Sequence, residues 1–261
     1  MKPEPWHSLE GKKVWVLGGA GYLGSAITIA LDSLCGQTLC VDLESRASDL
    51  INQAKLTRTF PLSFDLSQVK ELEAFVDKTF REFGLPDGIV NLTFNSSSGK
   101  ALEELSVLDF QKPFDDSVSA YFILARALAE RMKSRGSGSF VHFASMYGVV
   151  APDPSVYPPP MIPNPIDYGA SKAAILQMTR YFAAHYGRYG LRFNCIVPGP
   201  FPNPTVCSSH PEFVQQLSEK TPLKRVGINS EIIGPTLFLL TDSASFVTGH
   251  SLMVDGGWTA W

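Results

Sequence analysis

The chain has 261 residues, 44% of them hydrophobic and 18% charged, which is ordinary for a globular protein and supplies a full core. Its formal net charge is −3 with both signs interspersed, so neither a nucleic acid nor an anionic membrane is expected as a partner. No run of about 18 apolar residues occurs, so no membrane-spanning helix is expected.

No linker-like break, repeat or charge block divides the sequence, and residues 1–261 are expected to form one domain. Residues 1–13 carry Pro3, Glu4, Pro5 and Glu10 and lack an apolar signal core. Cys35, Cys40, Cys195 and Cys207 show no C-x-x-C spacing, so buried thiols in a reducing cytoplasm are expected. In that setting the sequons at Asn91 and Asn95 carry no meaning.

Lys13–Leu17 reads as a short buried strand and Tyr22–Leu34 as a helix, joined by Gly18-Gly-Ala-Gly-Tyr-Leu-Gly24. Glycines between a strand and a helix let the backbone turn tightly and approach a pyrophosphate resting on the helix N-terminus. Gln37–Val41 is the second strand. Asp42 follows it, 21 positions after Gly21, where a carboxylate takes ribose hydroxyls and repels a 2′-phosphate. That placement predicts NAD over NADP, with Arg46 close by as the one basic side chain that could favour the latter.

Residues 58–64 form the expected third strand, followed by Asp65, which can face an adenine edge, cap the helix expected over 68–83, or do both. Residues 88–93 are the fourth strand. Asn91 there can bond the loop backbone and a cofactor, or serve structure alone. A long amphipathic helix is expected over 114–135, with Tyr121, Leu124, Leu128 and Met132 forming a core or interface stripe. Residues 139–145 are the fifth strand, ending in Ser145 at the carboxyl edge, where α/β sheets bind ligands. His142 within it reads as a satisfied core residue.

Tyr168-Gly-Ala-Ser-Lys172 opens the next helix, with Ile175, Met178, Phe182 and Tyr186 along one stripe. Residues four apart on a helix share a face, so the phenol and the amine stand together. A free phenol has a pKa near 10. Lowering it by roughly 3 units needs about 4 kcal/mol, more than an exposed ion pair supplies, so the pair is useful only in a partly dry cleft. Residues 191–197 form the sixth strand, ending in Pro198-Gly199. The helix expected over 231–240 then leads to the last strand, Ser251–Val254.

The glycine loop, Asp42, Asn91, Ser145, Tyr168-x-x-x-Lys172, Pro198-Gly199 and Val254-Asp-Gly-Gly257 stand in an order that resembles the short-chain dehydrogenase/reductase family over almost the whole chain. The resemblance implies an α/β, doubly wound Rossmann fold with a seven-stranded parallel sheet in the order 3-2-1-4-5-6-7 and helices on both faces. Residues 1–110 would form mainly the cofactor half, and residues 111–261 the catalytic and substrate half. It implies Tyr168 as proton donor and acceptor, Lys172 as the group that lowers its pKa and holds the nicotinamide ribose, and Ser145 as the support of the substrate oxygen. NAD(P) would be held by Gly18, Gly21, Tyr22, Leu23 and Gly24, by Asp42, Leu43, Asp65, Leu66 and Asn91, and by Tyr168, Lys172, Pro198, Gly199 and Phe201. No metal is implied, and the assembly would be a homodimer or homotetramer; residues 246–261 are apolar enough for a subunit contact.

Three departures stand out. Leu17 replaces a threonine that braces the loop, Tyr22 replaces a glycine, and Ser117 stands where family members carry a proton-relay asparagine. Between Ser145 and Tyr168 lie seven of the 19 prolines, and Pro198, Pro200, Pro202 and Pro204 follow the sixth strand. These two segments are expected to wall a substrate pocket with a rigid roof. Tyr147, Asp153, Tyr157, Asn164 and Asn203 are the candidate substrate contacts. The wording of these loops and the Gly-Gly-Trp-Thr-Ala-Trp261 ending are similar to gluconate 5-dehydrogenase-like and flagellin or surface-sugar modification members, implying a sugar, sugar acid or sugar phosphate. The glycine spacing also suits a nucleotide-sugar epimerase or dehydratase, whose further substrate domain 261 residues leave little room for. Leu17 and Ser117 would also suit a cofactor-binding subunit whose chemistry has lapsed.

Overall fold

Short runs such as Val14-Trp15-Val16-Leu17 are apolar at every position because a parallel strand is buried on both faces. Side chains alternate across it: Trp15 and Leu17 join one core cluster, Val14 and Val16 the other. The computed structural model describes residues 7–94 and 97–261; Pro3, Glu4, Pro5 and Asn95 lie outside them. Seven strands, β1 (Lys13–Leu17), β2 (Gln37–Asp42), β3 (Thr59–Ser63), β4 (Gly88–Asn91), β5 (Gly138–Phe143), β6 (Leu191–Pro198) and β7 (Ser251–Val254), pair in parallel in the order 3-2-1-4-5-6-7. This is the expected doubly wound sheet.

Helices α1 (Tyr22–Leu34), α2 (Arg46–Ala54), α3 (Leu72–Phe83), α4 (Val107–Pro113), α5 (Ser119–Met132), α6 (Ile166–Tyr186), α7 (Pro204–Ser209), α8 (Pro211–Lys220) and α9 (Ile233–Leu240) surround it. Apolar residues of α3, α5 and α6 pack on one face, and Ile27 and Leu31 of α1 with Leu239 and Leu240 of α9 pack on the other. The stripe Tyr121, Leu124, Leu128 and Met132 is core. Cys35, Cys40 and Cys195 are buried free thiols, as expected, while Cys207 is half-buried. None of the described helices is long and apolar enough to cross a membrane.

The segment expected as one helix over 114–135 differs. It begins earlier, at Val107, behind a capping box in which Ser106 Oγ accepts from Asp109 N–H at 3.2 Å and Asp109 accepts from Ser106 N–H at 3.0 Å. Pro113 ends α4, a π-helical turn spans Phe114–Val118, and α5 resumes at Ser119. Proline cannot donate the intrahelical bond, and the wider turn is where the ladder is rebuilt. Ser117 sits in that turn.

His142 also departs from expectation. It is buried, but neither ring nitrogen has a hydrogen-bond partner among the described residues. Its surroundings are aromatic, with Tyr121 at 4.5 Å and Phe193 at 6.0 Å between ring centroids.

Candidate active site

The strand order reverses on either side of β1, so the connections leaving β1 and β4 part in opposite directions above their carboxyl ends and open a crevice. The glycine loop forms its floor. Gly18 takes φ +76°, a left-handed conformation open to glycine, and a Cβ on Gly24 would stand 2.2 Å from the Gly18 carbonyl oxygen. Close packing of helix on loop therefore requires glycine at both ends of the motif. The brace expected to be lost with Leu17 is supplied otherwise: Thr28 Oγ1 donates to the Gly19 carbonyl at 2.9 Å, and Ala20 N–H donates to Asp42 Oδ2 at 2.8 Å. Gly21 caps α1 without a side-chain hydrogen bond, and no acid stands in the first turn. The N–H groups there are left for an anion, which fits a pyrophosphate.

Two cavities share Gly18, Gly21, Leu92 and Phe94 as walls. The first, about 240 Å³, adds Asp42, Leu43, Arg46, Asp65 and Leu66. Buried Asp42 also accepts from Leu43 N–H at 2.9 Å and pairs with Arg46 at 3.3 Å. Asp65 accepts from both the amide and hydroxyl of Ser67, at 2.9 and 2.7 Å. It thus closes a turn ahead of α3 while lining the cavity. These surroundings fit an adenosine.

The second cavity, about 350 Å³, brings together Tyr22, Leu23, Gly24, Ser145, Tyr168, Lys172, Pro198, Gly199 and Phe201. Residues far apart in the sequence meet here because α6 lies beside the ends of β5 and β6. Gly148, in the turn after Ser145, is pressed so closely on α6 that a Cβ there would stand 2.8 Å from the Lys172 carbonyl carbon. Lys172 is buried, and burial lowers its pKa from 10.5 to about 8. Its Nζ donates to the Phe143 carbonyl at 3.3 Å and lies 4.3 Å from the Phe94 ring centroid. Burial pushes the Tyr168 phenol up, while a polar contact with the Ser145 side chain pulls it back. Lys172 Nζ lies 5.7 Å from the Tyr168 ring centroid; the phenol is shifted upward, with burial as the largest cause, and the expected lowering by the amine is not among the causes.

Other predicted residues take different places. Asn91 lines neither cavity; its Oδ1 accepts from Thr93 N–H at 3.0 Å and Thr93 Oγ1 at 2.6 Å, fixing the loop after β4. Ser117 lines a separate void of about 10 Å³ with Leu66, Thr93, Phe94, Asp116 and Ala120. Tyr147 and Tyr157 are buried and joined by a 2.8 Å hydrogen bond, with Asn164 Nδ2 donating to Tyr157 at 3.5 Å. They belong to a satellite cluster against which Tyr168 packs. Asn203 is an exposed helix cap, accepting from Val206 N–H at 2.9 Å, and Asp153 pairs with Lys220 at 2.6 Å. Phe94, which walls both cavities and the small void, was not singled out by the sequence reading. Its one signal is its position three residues past Asn91, on a loop leaving the switch point.

Comparison with known proteins points to dehydrogenases and reductases. A family model described as enoyl-(acyl carrier protein) reductase matches residues 23–259. The 2,5-dichloro-2,5-cyclohexadiene-1,4-diol dehydrogenase of Sphingobium indicum is 30% identical, covering 97% of this chain and 98% of its own. The ribulose-forming D-arabinitol 2-dehydrogenase of Candida albicans is 27% identical, over 98% and 96% respectively. A solved short-chain dehydrogenase from Leptospira borgpetersenii with bound NAD+ is 28% identical, covers 99% of this chain and 97% of its own, and superposes with a TM-score of 0.86.

Proposed function

The chain belongs to the short-chain dehydrogenase/reductase family and is an oxidoreductase of CH–OH groups that uses a nicotinamide cofactor; on that premise we propose that it oxidises or reduces a secondary alcohol of a sugar or polyol with NAD. The observation that carries this reading is the meeting of Ser145, Tyr168 and Lys172 in one cavity that shares its floor with the glycine loop. When bound, the dinucleotide supplies the acceptor or donor of the hydride. Tyr168 gives or takes the hydroxyl proton at its phenol oxygen, and Ser145 holds the substrate oxygen beside it. Lys172 contributes a positive charge that favours the phenolate once its ammonium is turned toward Tyr168.

The NAD preference rests on Asp42, whose buried carboxylate lines the adenosine-side cavity and would face a 2′-phosphate with like charge. Arg46 is already paired with it. The substrate class is supported by relatives named for a cyclic diol and a pentitol, and surface-carbohydrate metabolism is the setting we propose. Phe246 is fully exposed, and Met253 on the edge strand and Trp261 are also exposed. That apolar surface supports a homodimer or homotetramer.

NADH absorbance across a panel of polyols, sugars, sugar acids and sugar phosphates tests the reading. Turnover of at least one sugar or polyol with NAD, at a lower KM for NAD than for NADP, is expected. No turnover by a protein that binds NADH would overturn the sugar and polyol assignment.

A further inference from the structure

Phe94 is half-buried on the loop that leaves β4, and its ring stands edge-on to Tyr168 at 5.0 Å between centroids. The ring centroid also lies 4.3 Å from Lys172 Nζ, within the reach at which an ammonium is attracted by an aromatic face. Other groups around that ammonium are the Phe143 carbonyl at 3.3 Å, the Tyr168 ring and the Cys195 thiol. An ammonium has three N–H donors, and among the described residues the Phe143 carbonyl alone accepts from this one. Phe94 and Lys172 both line the second cavity. The ring thus covers a side of the amine on which a ligand hydroxyl could otherwise accept.

The same ring stands where the two cavities adjoin, since both are walled by Gly18, Gly21, Leu92 and Phe94. The joint is close: a Cβ on Gly18 would stand 3.4 Å from the peptide that links Leu92 and Thr93. The backbone on that side is held, because Asn91 Oδ1 accepts from both the amide and the hydroxyl of Thr93. Clearing the joint therefore falls to the Phe94 side chain, which can turn about its own torsions while the backbone before it stays in place.

We infer that Phe94 is a gate between the two halves of the cleft: its ring rests on the Lys172 ammonium and has to turn off it before a dinucleotide can bond that amine. The inference rests on the reading in which the cleft takes the dinucleotide and Lys172 holds its nicotinamide-side ribose. A ring face and a hydroxyl compete for one side of one cation, so the dinucleotide binds less tightly than an open amine would allow. A ligand confined to the adenosine side does not meet this competition.

The test titrates NADH and AMP into the full chain and into the variants Phe94→Leu, Phe94→Tyr, Lys172→Leu and the Phe94→Leu/Lys172→Leu double, at pH 7. Phe94→Leu keeps most of the bulk and removes the ring face. It is expected to lower the Kd for NADH about fivefold, a size within the range of cation–π contacts, and to change the Kd for AMP less than about twofold. Phe94→Tyr keeps the face and should bind NADH as the parent does. Without the ammonium there is nothing to compete for, so Phe94→Leu should have no effect on NADH affinity in the Lys172→Leu background. A second readout needs no ligand: urea unfolding of the same four proteins of the cycle should show coupling of about fivefold in the unfolding constant, because the contact given up on binding is present in the cofactor-free fold. Unchanged or weaker NADH binding by Phe94→Leu would overturn the inference. So would an equal gain for AMP, a gain that persists without the lysine, or losses in urea that simply add. If Tyr168→Phe keeps full turnover, the functional reading fails instead, and the comparison of NADH with AMP still decides whether the gate exists.

Discussion

At the β2 end of the cleft, Asp42 meets two backbone N–H groups and an arginine, and Asp65 meets the amide and hydroxyl of Ser67. At the β5 end, Lys172 has one carbonyl at 3.3 Å and an aromatic face, and Tyr168 is held away from ionisation by its own burial. The first region has its charges answered by the fold, so it is preorganised before any ligand arrives. The second keeps a cation in a poor environment, at a cost to stability that a bound ligand can relieve. A cofactor-binding surface can be built from satisfied groups, whereas a proton-transfer pair needs groups whose pKa values remain movable.

The largest effect that would separate the two regions is expected from Tyr168→Phe. Removing the phenol oxygen should lower kcat/KM by about 10³-fold, within the span of general acid–base catalysis, while NADH titration shows nearly unchanged binding. A parallel loss of NADH affinity would mean that the two ends are one coupled unit.

Lys172→Met should divide function from stability. Turnover is lost, yet the cofactor-free protein is expected to gain up to about 3 kcal/mol in urea unfolding, from the difference between 10.5 and about 8. The pH dependence fixes the sign. Between pH 8 and 10.5 the unfolded lysine holds a proton that the folded one has released, so wild-type stability rises across that window. The advantage of the variant should therefore be largest below pH 8 and fade toward 10.5. An equal gain at every pH would show that packing, and not the charge, accounts for it.

Asp42→Asn tests the satisfied end. The amide keeps one acceptor oxygen and turns an N–H2 group toward a backbone donor, which should cost about 1–2 kcal/mol of stability. NADH affinity should fall about tenfold, and the gap between NADH and NADPH should narrow. Titration with both dinucleotides measures this; an unchanged gap would remove Asp42 from cofactor choice.

Backbone-built features were the most legible. β1 and α1 fall on the residues their apolar runs and glycine loop predict, and the sheet order follows the resemblance. Local chemistry was read less completely. Arg46–Ala54 and the two short helices after Asn203 carry no long apolar period, and Pro113 masked a helix that resumes after a π turn. Contacts between distant side chains were not legible at all. No spacing announces that Ser98 meets Asp167 across 69 positions, or that Phe94 lies over Lys172. Asn203 illustrates the converse: a polar residue on the right loop whose side chain is used in capping a helix.

The smallest expected effect concerns a buried group outside the cleft, and it tests whether a movable pKa alone marks a working residue. His142 has its pKa lowered to about 3 by burial, and it lines neither of the two cavities. Between pH 3 and 6.5 the unfolded chain binds a proton at this histidine that the folded chain does not, so it costs stability as pH falls through that window. With both nitrogens unpaired among the described residues, it carries a desolvation penalty at neutral pH as well. His142→Leu should therefore raise stability by about 1 kcal/mol at pH 7 and more at pH 5, with kcat unchanged. Urea unfolding at the two pH values, beside the rate assay, measures it. A destabilised variant, or one whose gain does not grow on acidification, would mean that the ring has a polar partner in solution. A fall in kcat would extend the region of movable charges from the cleft into the sheet beneath it.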